Sequence, residues 1–240
     1  MSEFDLNGGE GHLMSQSSIN NADGITNSLA SLSGPTELPV LRAESYSFSN
    51  SRASAEAFGM QGFYVTEPEY TLDVALAGIA LDVPEPTIDT FNEDGSAVAH
   101  VMIFRNNDPS SDFYYTSHYP TMRGEAIPGN PNLELLAESV DGSGLQELVI
   151  TPDNQVHIVG TTLTATGLQP NDLIYVWASL VTSGTRGGFG DAFNTLTMEF
   201  EDPVGLSHSP HNLVPEPTSL VLAGCLVSLV AFRRLRLCSR

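Results

Sequence analysis

Six histidines, 29 acidic residues and 25 serines are the groups in this chain that could do chemistry. Their spacing decides what each could do. His208 and His211 form an HxxH pair, the spacing of two metal ligands on one face, but they stand in Asp202–Leu213 (DPVGLSHSPHNL), a polar Pro/Gly/Ser/His stretch with no cysteine nearby. A closed zinc site needs four N or S ligands, so this pair reads as part of a solvated linker and no metal is assigned to it. His100 and His157 lie in strand-like text and read as ordinary strand residues. Asp89–Gly95 (DTFNEDG) resembles part of a calcium loop. Registered on Gly95, it puts Thr90 at the first ligand position and Val101 at the twelfth, where an EF-hand requires Asp and Glu. It fails as an EF-hand. The stretch reads as a solvated acidic turn, with a looser Ca2+ site as the alternative, and no cofactor is assigned. Ser143 in DGSG lacks the first glycine of a nucleophile elbow. Thr185–Gly190 (TRGGFG) lacks the lysine of a phosphate loop and reads as a hairpin turn. A glycosidase needs two converging carboxylates, and among so many acids the sequence selects no pair. No catalytic residue is assigned, and the chain reads as a non-enzyme.

The C-terminal segment is more specific. Val214–Arg240 reads VPEPTSLVLAGCLVSLVAFRRLRLCSR. Pro215 and Pro217 fix φ and remove two backbone donors, and residues before proline are driven to extended conformations. Glu216 then projects from a stiff strip that neither pairs in a sheet nor continues a helix. An apolar run follows, 219–232, and then Arg233, Arg234, Arg236 and Arg240. The run suits insertion in a bilayer, and the arginines hold its far end on the cytoplasmic side.

These features, in this order, resemble the PEP-CTERM sorting signal of exported bacterial proteins. The resemblance covers about the last 27 residues and implies nothing about the preceding domain. It implies that a membrane-embedded transpeptidase, the exosortase, recognises Pro215, Glu216 and Pro217. Residues 219–232 would cross the membrane and Arg233, Arg234 and Arg236 would be the stop. The tail would be removed as the protein reaches the envelope or exterior, typically in bacteria that make extracellular polysaccharide. The tripeptide alone is a weak signal. Val83–Thr87 repeats the same five residues as Val214–Thr218, but a polar, acidic stretch follows it, so that copy reads as a loop. The run of 14 residues would make a helix of only about 21 Å, short of a ~30 Å hydrocarbon core. Insertion of Leu235 and Leu237 with snorkelling arginines narrows the gap. Leu222–Cys225 (LAGC) matches a lipobox, but such a motif ends an N-terminal signal peptide, and here the apolar run continues. Cytoplasmic arginines place the body outside, whereas Met1–Gln16 has neither a basic nor an apolar targeting region. The expectation is a true start further upstream.

The elements around these residues read as β. Residues are 41% hydrophobic and only 16% charged, enough to bury a core. Strands are expected at Glu69–Asp82, Ser96–Phe104 (with a phase change after Val98), Asp112–Tyr119, Leu133–Val140, Leu145–Thr151, Gln155–Thr166, Leu173–Thr182 and Phe193–Phe200, separated by turn signals at sandwich-like spacing. The fold expected is all-β, an antiparallel β-sandwich or jelly roll over 36–203. Residues 1–35, rich in Ser, Asn and Gly, read as disordered or loosely ordered; 204–213 read as linker and 214–240 as the sorting signal with its transmembrane helix.

Charge disfavours some partners. The net charge is −20 and every basic residue is Arg. Four of the nine lie in the last eight positions, so Met1–Val214 holds five Arg against 28 acids, a net of −23. Nucleic-acid binding needs basic contacts to phosphate, and anionic lipid needs the same. The balance argues against both for the body. Both cysteines, Cys225 and Cys238, lie in the tail, so the body has no disulfide. The function expected is a structural or adhesive surface protein: exported, membrane-anchored as a precursor, then at the cell surface or extracellular. Its partners would be the exosortase, the membrane through the transient tail, and extracellular polysaccharide. The alternative is a carbohydrate-binding module or glycan-active enzyme on the same scaffold, with Phe113, Tyr114, Tyr115 and Tyr119 as a sugar-stacking platform.

Overall fold

The structure, a computed structural model, describes residues 3–8, 12–20, 24–33, 36–47, 52–81, 95–107, 133–140, 148–185 and 189–208. The chain divides into Met1–Ser209 and Pro210–Arg240, and every described residue belongs to the first unit.

Thirteen strands are described: β1 (Glu3–Gly8), β2 (His12–Asn20), β3 (Gly24–Ser33), β4 (Leu38–Ser47), β5 (Arg52–Tyr64), β6 (Glu69–Leu81), β7 (Gly95–Asn106), β8 (Leu133–Glu138), β9 (Val149–Ile150), β10 (Val156–Thr166), β11 (Leu173–Thr185), β12 (Phe189–Phe200) and β13 (Ser207–His208). They form two antiparallel sheets. The larger runs β1-β2-β5-β11-β7-β8, with β13 added to β5 and β9 to β7; the smaller runs β10-β6-β12-β4-β3. The expected two-sheet, all-β architecture is what the chain adopts.

Period-two alternation builds the core between the sheets. On β6, Tyr70, Leu72, Val74, Leu76 and Ala80 are buried while Thr71, Ala75, Ala77 and Ile79 are only partly so. On β11 the inward set is Ile174, Val176, Ala178 and Leu180; on β5 it includes Ala55, Ala57 and Phe63. β11 lies between β5 and β7 and is buried on both faces over Leu173–Leu180, which is why its text is a continuous apolar run. Its other face carries a second apolar cluster: Met60, Met102, Phe104, Leu133, Leu173, Tyr175 and Trp177. Trp177 sits opposite Met60 on one side and Met102 on the other, and Phe104 stacks on Tyr175 at 5.3 Å.

Three expectations are corrected. Residues 1–35 are not disordered where they are described: β1, β2 and β3 extend the edges of the two sheets. Backbone pairing needs no apolar side chain, and an edge strand with one solvated face tolerates Ser and Asn; in β3, Ile25 and Leu29 point outward while Ala30 packs on the core. The phase change expected in β7 does not occur. Its register with β11 is unbroken, and Ala97, Ala99, Val101 and Ile103 all face the core while Val98 faces away. Alanine on the inner face hid the phase. Of the expected strand Leu145–Thr151, residues 145–147 lie outside the described ones; within 148–151 the strand is Val149–Ile150, and Leu148 O accepts a bond from Ala99 N at 2.9 Å, while Thr151 is not strand.

The stretch read as the start of a linker is built onto the sandwich. β13 pairs with Phe63 and Tyr64 of β5, Leu206 packs on the core, and Tyr70 OH donates to Val204 O at 3.1 Å. The expected transmembrane helix at 219–232, the strand at Asp112–Tyr119 and the loop at Val83–Thr87 lie outside the described residues. Among the described residues no helix is long and apolar enough to cross a membrane.

Candidate functional site

Most residues singled out by sequence lie outside what the structure describes: Pro215, Glu216, Pro217, Arg233, Arg234 and Arg236 of the sorting signal, the acidic turn before Gly95, the aromatic residues Phe113, Tyr114, Tyr115 and Tyr119, Ser143 and His211. The three histidines with described side chains are not brought together. Each instead sits beside one carboxylate. His100 is buried, with Nε2 3.4 Å from Glu138 Oε2 and its ring edge-on to Trp177 at 5.6 Å. His157 Nε2 is 2.7 Å from Asp153 in the preceding turn. His208 Nδ1 is 3.2 Å from Glu37 Oε2, and its ring meets Phe63 edge-on at 5.5 Å. Hydrogen bonding to His157 holds the Asp153 carboxyl below its ordinary range, with help from Gln155 N. Among the described residues no three His, Cys, Asp or Glu side chains come close enough to share a metal ion.

The strongest polar constellation was invisible in the sequence. Arg105, at the end of β7, donates from Nη2 to Glu134 Oε2 at 2.6 Å and from Nη1 to Asp172 Oδ2 at 2.8 Å. Nη1 also reaches Gly167 O at 3.3 Å. The side-chain hydrogen bond to Glu134, then that to Asp172, raises the guanidinium pKa; the Glu134 carboxyl is lowered, first by its hydrogen bond from Arg105. Asp172 Oδ2 in turn accepts from Gln169 N at 2.9 Å. The cluster therefore ties β7, β8 and the β10–β11 turn together. One guanidinium bridges two carboxylates and a carbonyl, all by direct hydrogen bonds, so the cluster reads as a structural knot rather than a proton-transfer site. Gly167 (φ 73°) and Asn171 (φ 74°) supply the left-handed backbone of that turn.

The open surface is the outer face of the smaller sheet. Across it run Val156, Ile158, Thr162 and Thr164 of β10, Asp73, Ala75, Ala77 and Ile79 of β6, Thr195, Thr197 and Glu199 of β12, Arg42 and Glu44 of β4, and Asn27 of β3. Thr162 Oγ1 donates to Asp73 Oδ1 at 2.9 Å, and Asn27 Nδ2 to Glu44 Oε2 at 2.9 Å. Polar side chains cross its middle, and exposed Val156 and Ile158 lie at the β10 end. At one corner Tyr46 meets Phe189 edge-on at 5.5 Å.

No protein-family description matches this chain, and no curated protein matches it. Among solved structures, one to which it is similar is described as "Structural basis for the promiscuous specificity of the carbohydrate-binding modules from the beta-sandwich super family", at 10% identity and a TM-score of 0.28. The match covers 80% of this chain, which spans 56% of the length of that structure.

Proposed function

We propose that this chain is an exported, non-catalytic surface protein, a β-sandwich delivered through a PEP-CTERM-type signal at its C-terminus. The observation that carries this reading is the order Pro215-Glu216-Pro217, apolar run, arginine cluster at the end of the chain. The internal copy of the same five residues lacks the apolar run and the arginines, which makes context rather than the tripeptide the signal. In this reading an exosortase-type transpeptidase takes the extended, acid-bearing strip outside the cytoplasm. The tail holds the precursor in the membrane until then. The body's work is structural or adhesive, at the cell surface or in a polysaccharide matrix. Its net charge of −23 keeps it soluble and opposes collapse onto anionic polymers.

The test is localisation of Glu216→Ala and Pro217→Ala variants in a host that carries an exosortase. Both are expected to accumulate as membrane-bound precursor while the parent chain is released or displayed. Equal release of parent and variants would overturn the reading.

A second reading, a glycan-binding body, is favoured by one feature: the polar middle of the smaller sheet's outer face, with Arg42, Asn27, Glu44, Asp73 and Thr162 side by side. A polysaccharide pull-down checks it. Binding lost in Arg42→Ala and Asp73→Ala with the fold intact supports it, and binding indifferent to both removes it.

A further inference from the structure

An exposed sheet edge is a row of backbone groups ready to pair with another chain, and proteins usually protect it by keeping it short, placing charge or proline on it, or breaking it with a bulge. Two edges here are protected in this way. β8 is six residues long, carries Glu134 and Glu138, and shifts register against β7. β1 is six residues long and carries Glu3 and Asp5. β10 has none of these devices. It is eleven residues long (VHIVGTTLTAT), has no proline, acid or arginine, and keeps eleven successive pairs with β6 without a bulge. Among the described residues it has a strand neighbour on one side only.

Its side chains point the same way. Val156 is 74% exposed and Ile158 77%, the two most exposed large apolar residues described. Opposite them on β6 lie Ile79 and Ala77, so the corner is apolar two strands deep. The titratable group on the strand, His157, is engaged by Asp153 of its own turn. β3, the other edge of this sheet, also lacks acids, but Ile25 and Leu29 on it are less exposed, at 47% and 53%, and Asn27 is tied to Glu44 beside it.

We propose that β10 is a homodimerisation edge, on which a second copy of this chain adds its own β10 antiparallel about a twofold axis. Self-complementarity favours this occupant, and charge and exposed apolar surface favour this place. Two copies at −20 each repel through most of their surface; β10, like β3, sets no acid on the facing strand, and of these two edges β10 carries the more exposed apolar side chains. Antiparallel pairing is self-complementary, so both edges are satisfied in one closed contact. Centring it on Ile158 sets the two Ile158 side chains opposite each other and each Val156 opposite Gly160 of the second copy, where the missing side chain leaves room.

Sedimentation velocity of the full chain in mild detergent tests this. The parent chain is expected to form a dimer whose dissociation constant rises at least about tenfold in Ile158→Lys, roughly 1.4 kcal/mol. Leu29→Lys, on the other edge, is expected to leave it unchanged. Val156→Lys and Thr162→Lys provide the same reading should Ile158→Lys misfold by circular dichroism. Amide exchange over 156–162 should slow as protein concentration rises. A parent chain monomeric at every concentration overturns the proposal. So does a dimer indifferent to lysine on β10, which would place the contact elsewhere, or open-ended assembly abolished by Leu29→Lys, which would mean β10 pairing head-to-tail with β3.

Discussion

Arg105 shows what a single residue does here and why its role was not legible beforehand. Its partners lie 29 and 67 positions away in the chain, and nothing in 29 acids marks those two. Arg105→Met should remove the charge-assisted bonds and lower stability by about 1–2 kcal/mol, a figure already reduced because Glu134 is about half exposed. The pH dependence follows from Glu134. Its folded pKa is depressed, so its contribution is present above the unfolded value of ~4.3 and is lost as pH falls through the folded pKa. Urea titrations of parent and variant below about pH 5 should therefore converge as acid is added. Tyr175 carries the opposite sign. Burial pushes its hydroxyl up to about 12. The folded state thus holds this proton more tightly than the unfolded chain, and the stability it confers is lost as pH rises from ~10 toward the folded value. A spectrophotometric titration of the seven tyrosines should show at least one ionising late, together with loss of near-ultraviolet circular dichroism. All seven titrating near pH ~10 with the fold intact would contradict this.

At the scale of elements, alternation and turn chemistry were readable where large side chains carried them. β6, β10 and β11 begin or end within a few residues of expectation, because Tyr70, Leu72, Val74 and Leu76 mark one face of β6 and a two-sided apolar run marks β11. β1 to β3 were not readable, since short polar strands at the margins of a sheet are specified by the neighbours they pair with. β13 was hidden for a similar reason: two residues gain strand geometry only from Phe63 and Tyr64. Phe63 touches Phe200 and His208 edge-on at 5.5 Å each, so it joins the core to the closing strap. Phe63→Ala should cost about 3–5 kcal/mol, read by denaturant unfolding. Gly205, in that strap, has φ 81°, and a Cβ there would collide with Thr66 Oγ1 and lie 2.9 Å from Tyr70 OH. Gly205→Ala should lower stability by about 1–3 kcal/mol and speed amide exchange over 204–208. A variant as stable as its parent would mean that the strap is not seated as described.

For the whole molecule, the sandwich and the tail answer different questions. The body explains how a chain with so few cations and no body disulfide folds: its inner faces are covered by aliphatic and aromatic side chains, and its few arginines include one locked in a structural knot. The sorting reading comes from the tail's sequence, where proline stiffness, apolarity and positive charge follow one another in the order export and retention require. Only the fate of that tail in the cell decides it. Intact-mass spectrometry of the protein released from, or displayed by, an exosortase-bearing host is the most direct measurement. The mature chain is predicted to have lost Arg233–Arg240 and the apolar run, ending at or near Pro215–Pro217. Released protein that still ends at Arg240 would contradict the account.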